Sequence, residues 1–453
     1  MKLPKGPSTL SFFQLFQWST RPSAFLDTCA QRYGDIFTAQ WTGFTPSVFI
    51  STPEALEQVF TASSSQFESG QGNKIFQPFV GEYSLMLLDG APHQRQRKLV
   101  TPPLHGERMR VYGQLSCEIT EQAIQPWETG SSFSTRTVME GITLKIILGA
   151  VFGVTEGKRF SALRHYLSEM LELLGTPLGA LSIFVPMLQR DWGARSPWGS
   201  FVRLKSQVDQ LIYAEIAERR GELDSGRTDI LTLLMSAHDE AGQPMSEEEL
   251  RDELLTLLIT GHETSATALV WALYWIHHLP QVRDRLLAEI STLGDRPDSS
   301  AILGLPYLTA VCQETLRIYP TIVVAFPRLV KIPFQMMGYE FPVGTQIFPA
   351  IYSAHHREEV FPDPKSFKPE RFLERQYSSY EYMPFGGGSH RCIGSAFALF
   401  EMKLILATML AHYQFVLSDD SPVHPIRRNG GLTPNRDMHL VVQTEYKKSP
   451  LRV

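Results

Sequence analysis

A mainly α fold with a small β region is what this sequence predicts, and three observations carry that reading. Apolar residues recur at helical spacing from about Pro53 to Pro320. Short β-type runs, Ser47-Val48-Phe49-Ile50 and Gln346-Ile347-Phe348, stand near the two ends of that stretch. After Phe326 the turn and proline clusters thicken, notably Phe361-Pro362-Asp363-Pro364 and Phe385-Gly386-Gly387-Gly388, so an irregular, backbone-shaped segment precedes a last long helix from about Gly394 to Tyr413.

At the amino terminus, Met1 to Pro7 is too polar and proline-broken for a signal peptide. The apolar patch Phe12, Phe13, Leu15, Phe16 and Trp18 is interrupted by Gln14 and Gln17 and cannot span a bilayer. It predicts a docked helix, with a membrane-facing or access-channel lip as the functional alternative. Further on, Ser246 with Glu249 three residues later forms a capping box, and the helix it opens runs to the stop at Pro280. At 1.5 Å per residue that helix spans about 50 Å, enough to cross a domain. Leu250, Leu254, Leu257 and Leu258 line one face, and Ala268, Leu269, Trp271, Ala272 and Trp275 continue it. His262 and Glu263 interrupt the apolar run too early for a membrane span, so a buried central helix is expected. No repeat, low-complexity tract or linker divides the chain, which favours one domain over 1–453, with β-rich parts at about 30–70, 320–360 and 415–453 and an α-rich body in the remainder.

With 453 residues, 43% hydrophobic and 20% charged, the composition is globular, which excludes disordered and fibrous classes. Lys and Arg total 42 against 47 Asp and Glu, a net charge of −5, so no overall positive field exists to hold nucleic acid. Four widely spaced cysteines, Cys29, Cys117, Cys312 and Cys392, without a CxxC pair, fit unbridged thiols in a reducing compartment. A cytoplasmic protein without a transmembrane anchor is expected, with peripheral membrane contact through the N-terminal patch as a variant of that reading.

The segment Phe385-Gly386-Gly387-Gly388-Ser389-His390-Arg391-Cys392-Ile393-Gly394 carries the chemistry. Its glycines let backbone amides turn toward the sulfur, and the helix that follows adds positive potential at its N-terminus, both of which favour a thiolate. Zinc would want three more ligands at characteristic spacing, and only His390 is near. A cofactor with its own equatorial ligands fits better: haem with an axial thiolate.

This segment resembles the cysteine loop of the cytochrome P450 superfamily. The resemblance implies a triangular, mostly α single domain with haem b (iron protoporphyrin IX) between the long central helix and the cysteine-bearing helix. It makes Cys392 the iron ligand and places Phe385, Gly388, His390 and Gly394 around the cofactor; His390 stands where the family usually has Arg and would donate to a propionate in a pH-dependent way. In Val311-Cys312-Gln313-Glu314-Thr315-Leu316-Arg317, Glu314 and Arg317 share a helical face, a spacing that alone commonly marks a surface ion pair. With Arg371 of Phe367-Lys368-Pro369-Glu370-Arg371-Phe372 they resemble the family's buried Glu-Arg-Arg cluster, whose role is structural. His93 and Arg97, four apart, and Arg328, eleven residues beyond Arg317, resemble the family's propionate donors, while Arg95 should face elsewhere.

In the middle of the central helix stands Ile259-Thr260-Gly261-His262-Glu263-Thr264-Ser265. An interior glycine and a threonine that can bond back one turn favour a local opening of the helix. The segment resembles the family's oxygen-binding groove at Gly261, with Glu263 and Thr264 as the proton-delivering pair and Thr260 replacing the usual Ala or Gly.

These matches imply a monooxygenase that inserts one oxygen atom of O2 into a hydrophobic substrate such as a fatty acid or terpenoid. The alternatives are a peroxide-using or hydroperoxide-isomerising relative and a non-catalytic haem sensor. The matched chain ends at Val453 without a flavin domain or cluster site, so electrons are expected from ferredoxin and ferredoxin reductase, or flavodoxin, and a monomer is expected. Arg95, Lys98, Arg108, Arg110, Arg391 and Lys403 are the candidate docking cations. Candidate substrate-lining stretches are Gln71 to Phe79, Leu254 to Thr264, Thr321 to Phe326 and Leu432-Thr433; Met170, Leu173, Leu174, Leu178, Ile183, Phe184 and Met187 form an apolar stripe that at helical spacing is more commonly core.

Overall fold

The computed structural model describes residues 3–41, 45–106, 108–154, 156–176, 179, 182, 188–191, 193, 196–221, 226–293, 299–428 and 431–446. Helices dominate and the strands are short. The central helix runs from Glu247 to His278; the Ser246 hydroxyl accepts from the Glu249 amide and the Glu249 carboxylate from the Ser246 amide, the expected capping box. Two long helices pack along it, Thr135–Phe152 and Ser395–His412. The second begins directly after the cysteine loop. By length and composition it could cross a membrane, but most of it is buried inside the protein, and its apolar residues surround it as in a core helix.

One five-stranded sheet has the order β1 (Ile36–Ala39), β2 (Ser47–Ile50), β8 (Gln346–Pro349), β5 (Arg328–Val330), β3 (Phe67–Glu68). Strand β2 runs parallel to β8 and the other pairs are antiparallel, so that Ile347 stands between Val48 and Arg328. A hairpin joins β6 (Phe334–Met336) to β7 (Tyr339–Phe341), and a second joins β10 (Pro425–Arg428) to β11 (Gly431–Pro434). The last sheet has the order β4 (Ser132–Ser134), β12 (His439–Glu445), β9 (Tyr413–Leu417). Strand β4 lies outside the β-rich stretches read from the sequence. Three residues carry too little periodicity to be seen, and only pairing of Ser134 with His439, three hundred residues on, makes them a strand.

The N-terminal helix, Ser11–Thr20, docks through Trp18 and through Gln14, one of the two residues that break its apolar run. Gln14 gives its amide to the Pro7 and Thr9 carbonyls and accepts the Gln40 amide, which ties the helix to the chain on both sides. Phe12, Phe13 and Phe16 remain more than half exposed.

Candidate functional site

The cysteine loop is shaped by its glycines and by Phe60. A Cβ on Gly387 would lie 2.5 Å from the Phe60 ring, and one on Gly388, held at φ +68°, would lie 2.8 Å from the Phe60 carbonyl. No other residue fits there without displacing Phe60. The Cys392 amide donates to the Phe385 carbonyl at 3.0 Å, which closes the loop and sets the sulfur at the start of the Ser395–His412 helix. Cys29, Cys117 and Cys312 are buried, with burial pushing their thiols up to about 12, whereas Cys392 is exposed. The surrounding protein still desolvates the Cys392 sulfur enough to raise its pKa; the Gly394 amide, Arg97 and Arg391 pull in the other direction. Without a metal at the sulfur, desolvation outweighs these groups.

Arg97 interacts electrostatically with Cys392, and its own helix, Gly90–Val100, also carries His93. His93 is buried, its Nε2 has no hydrogen-bond partner, and burial and then Arg97 push it down to about 4, so the ring is neutral near pH 7. It stacks on His390 with ring centroids 4.0 Å apart. His390 Nε2 lies 3.2 Å from the Leu88 carbonyl, which can only accept, and Nδ1 lies 3.1 Å from the Ser389 hydroxyl. Both nitrogens are thus engaged within the protein. Burial pushes this ring down to about 3 in the absence of a carboxylate partner.

Arg328 in β5 is buried and donates to the Phe326 and Gly387 carbonyls at 2.8 and 2.9 Å, with Phe60 under its guanidinium at 5.5 Å. It ties the sheet to the cysteine loop, a structural contribution its spacing from Arg317 did not reveal. Asp89, which the sequence reading also passed over, sits opposite in charge to Arg328 and accepts the Ser69 and Gln71 amides at 2.8 and 3.1 Å.

Across the site, the central helix runs without a break through Gly261. The expected opening is absent because the glycine has another use: a Cβ there would come within 3.1 Å of Ile147, so its lack lets the Thr135–Phe152 helix approach closely. The threonines do bond back: Thr264 to the Thr260 carbonyl at 2.6 Å and Thr260 to the Thr256 carbonyl at 2.7 Å. Thr260 therefore directs its hydroxyl along its own helix. Thr264 and Glu263 are half-buried, while His262 is buried against the Thr143 hydroxyl at 3.0 Å. On the facing helix, nine residues after Cys392, Glu401 is fully buried and neither carboxylate oxygen has a well-formed hydrogen bond; burial pushes it up to about 8, opposed only by the nearby Ser265 hydroxyl. Its signal in the sequence was a lone acid among the apolar residues Phe397, Leu399, Phe400, Met402 and Leu404.

Glu314, Arg317 and Arg371 meet. Arg317 binds both Glu314 oxygens at 2.6 and 2.9 Å, and Arg371 Nε reaches the second oxygen at 3.2 Å. The guanidiniums also bond to the His355, Pro362, Pro364 and Ser366 carbonyls, so a network in which two guanidiniums share one carboxylate and give their remaining N–H groups to backbone carbonyls fixes residues 362–371 onto the Pro306–Ile318 helix.

The candidate docking cations divide. Arg95 is bound to Asp239 at 2.6 Å and to Glu249 at 2.8 Å, Lys98 to Glu240 at 2.6 Å, and half-buried Lys403 to the Leu303 carbonyl at 3.2 Å. Arg108, Arg110 and Arg391 have no ion pair among the described residues. Of the apolar stripe, Met170 and Leu174 lie in the core, and Leu178, Ile183, Phe184 and Met187 lie outside the described residues.

The model of the family described as Cytochrome P450 matches residues 4–441. The chain is 34% identical over 98% of its length to cytochrome P450 135B1 of Mycobacterium tuberculosis (strain ATCC 25618 / H37Rv), of which it covers 92%. To cytochrome P450 135A1 of the same organism it is 31% identical over 97% of its length, covering 94% of that protein. The solved structure of retinoic acid-bound cyanobacterial CYP120A1 is alike in fold, with a TM-score of 0.84 over 98% of this chain and 100% of that one at 22% identity.

Proposed function

The chain belongs to the cytochrome P450 family and is a haem-thiolate monooxygenase, and on that premise we propose that Cys392 is the axial ligand of a haem b held between the central helix and the helix that follows the cysteine loop, in one domain over residues 1–453. The observation that carries this reading is the contrast among the cysteines: Cys392 alone is exposed, in a loop whose backbone only glycines permit. The donor set suits an iron porphyrin. A soft sulfur is offered to the metal, and for two carboxylates there are the buried, unpartnered His93 Nε2 and the guanidiniums of Arg97 and Arg328. His390 supports His93 by stacking and keeps the loop on Leu88.

When bound, haem supplies the reduction of O2 that places one oxygen atom in the substrate and the other in water, using two electrons from an outside donor and two protons. The protein's part is to deliver those protons and hold the substrate. Glu263 takes a proton from solvent, and Thr264 passes one on by turning its hydroxyl away from the Thr260 carbonyl. The lining is apolar with few charges, which favours a hydrophobic substrate of the fatty-acid or terpenoid kind. A ferredoxin or flavodoxin would meet the side bearing Arg108, Arg110 and Arg391. A cytoplasmic monomer completes the reading.

The test is the carbon monoxide difference spectrum of the reduced protein. The thiolate-type band is expected in the wild type and in single serine variants of Cys29, Cys117 and Cys312, and is expected to vanish in Cys392→Ser. Its survival in Cys392→Ser rejects the assignment.

A further inference from the structure

Two adjacent carboxyls near the start of the central helix have no part in the mechanism above. Asp252 and Glu253 are both buried, and each receives a backbone amide from the segment between the lining residues at 71–79 and the Gly90–Val100 helix: Tyr83 donates to Asp252 at 2.8 Å and Leu85 to Glu253 at 2.6 Å. Between them the Thr256 hydroxyl donates to that of Ser84 at 2.8 Å. Gly81 approaches so closely that a Cβ would fall 2.0 Å from Asp252 Oδ1. From the other side Gln96 donates to the same Glu253 oxygen at 3.1 Å, and Gln96 stands one residue from Arg97 and three from His93.

We propose that Asp252 and Glu253 form a positioning latch, with Glu253 in its protonated form, that holds residues 83–85 on the central helix and, through Gln96, keeps the substrate-side wall in register with the helix bearing His93 and Arg97. The link to substrate and cofactor rests on the function proposed above; the latch itself does not. The two acids differ in their neighbours. Asp252 has the Arg251 guanidinium at 2.9 Å. Glu253 faces Asp252 and Glu249 on its own helix, Gln96 on the Gly90–Val100 helix and the Leu85 amide from the segment, and has no ion pair among the described residues, Arg95 being bound to Glu249 and Asp239. Glu253 Oε2 and Gln96 Oε1 are both buried without a partner. Leaving Glu253 Oε2 bare is less costly when the carboxyl carries a proton and no charge. Burial is the main cause that pushes Glu253 up to about 8, in keeping with the geometry.

The sign follows from linkage. Closed, the latch keeps the proton up to about pH 8; open, Glu253 meets water and loses it near its ordinary value of 4.5. Opening therefore becomes easier by up to about tenfold per pH unit between these values and levels off above the upper one. Hydrogen exchange at the Tyr83 and Leu85 amides, corrected for the intrinsic pH dependence of exchange, reads this directly in the whole chain. Protection is expected to fall from about pH 5 to 8 and then level off. In Glu253→Gln, which keeps an acceptor for Leu85 but does not titrate, it is expected to be flat. A flat wild-type profile, or the same slope in Glu253→Gln, overturns the latch, and the wild-type series decides even if the variant does not fold. In the haem-loaded protein, the association rate of 1-phenylimidazole is expected to rise over the same pH range in the wild type only. If exchange follows the latch while this rate does not, the coupling to the substrate wall is overturned, and the carbon monoxide spectrum separately reports whether Cys392 is the ligand.

Discussion

Thr264 shows how much one hydroxyl can be asked to do. Its bond to the Thr260 carbonyl is internal to the helix, so removing it leaves the fold and the sulfur loop untouched. Thr264→Ala is expected to retain haem and substrate binding and to divert reductant to peroxide, lowering product formed per reductant consumed by roughly tenfold or more, the scale of a lost proton donor. Unchanged coupling across several hydrophobic substrates would leave the hydroxyl as a helix feature only. Glu401 is a different kind of residue, a buried acid with no cation to balance it. Raised to about 8 from 4.5, it favours the folded state fully only below 4.5, and that contribution declines as pH rises toward 8. Glu401→Gln is expected to flatten the fall in melting temperature between about pH 5 and 8. An identical slope in the variant and the wild type argues that the carboxyl is solvated.

At the scale of elements, the packing of the Thr135–Phe152 helix on the central helix turns on one absent methyl. An alanine at Gly261 gains about 1 kcal/mol of helix propensity but meets Ile147 at 3.1 Å in a packed core, where overpacking costs about 1–3 kcal/mol. Gly261→Ala is expected to destabilise the protein by about 1 kcal/mol in urea unfolding. In an Ile147→Ala background, which deletes both the Cδ1 at 3.1 Å and the Cγ1 at 3.3 Å, the same change is expected to be neutral or stabilising. A loss of the same size in both backgrounds places the cause in the helix backbone instead.

For the molecule as a whole, the proposed docking face follows from which cations the fold has already engaged. Arg95 and Lys98, attractive in the sequence because they adjoin His93 and Arg97, hold the Asp239–Glu249 region instead. Charge reversal at Arg108 and Arg391 together is expected to slow reduction by a ferredoxin at low salt by about tenfold, while the same reversal at Arg95 changes stability and not salt-dependent reduction. Stopped-flow reduction at two ionic strengths checks this, with dithionite reduction as the control. Equal rates for all variants at both ionic strengths reject this face.

The periodicity of the central helix, its cap at Ser246 and its stop before Pro280 were legible because they are local: hydrogen bonds within four residues and a side-chain pattern fix them. The cysteine loop was legible for the same reason, since its glycines answer to backbone angles and close approach. Spacing could suggest that Glu314 and Arg317 pair, but their burial with Arg371 depends on segments 57 residues apart. Strand β4, the engagement of His390 with Leu88, the occupation of Arg95 and the Asp252–Glu253 contacts with Tyr83 and Leu85 were beyond the sequence read alone. Each joins groups far apart in the chain, and whether a polar group is free or taken, charged or neutral, is decided by which distant neighbours exclude water from it.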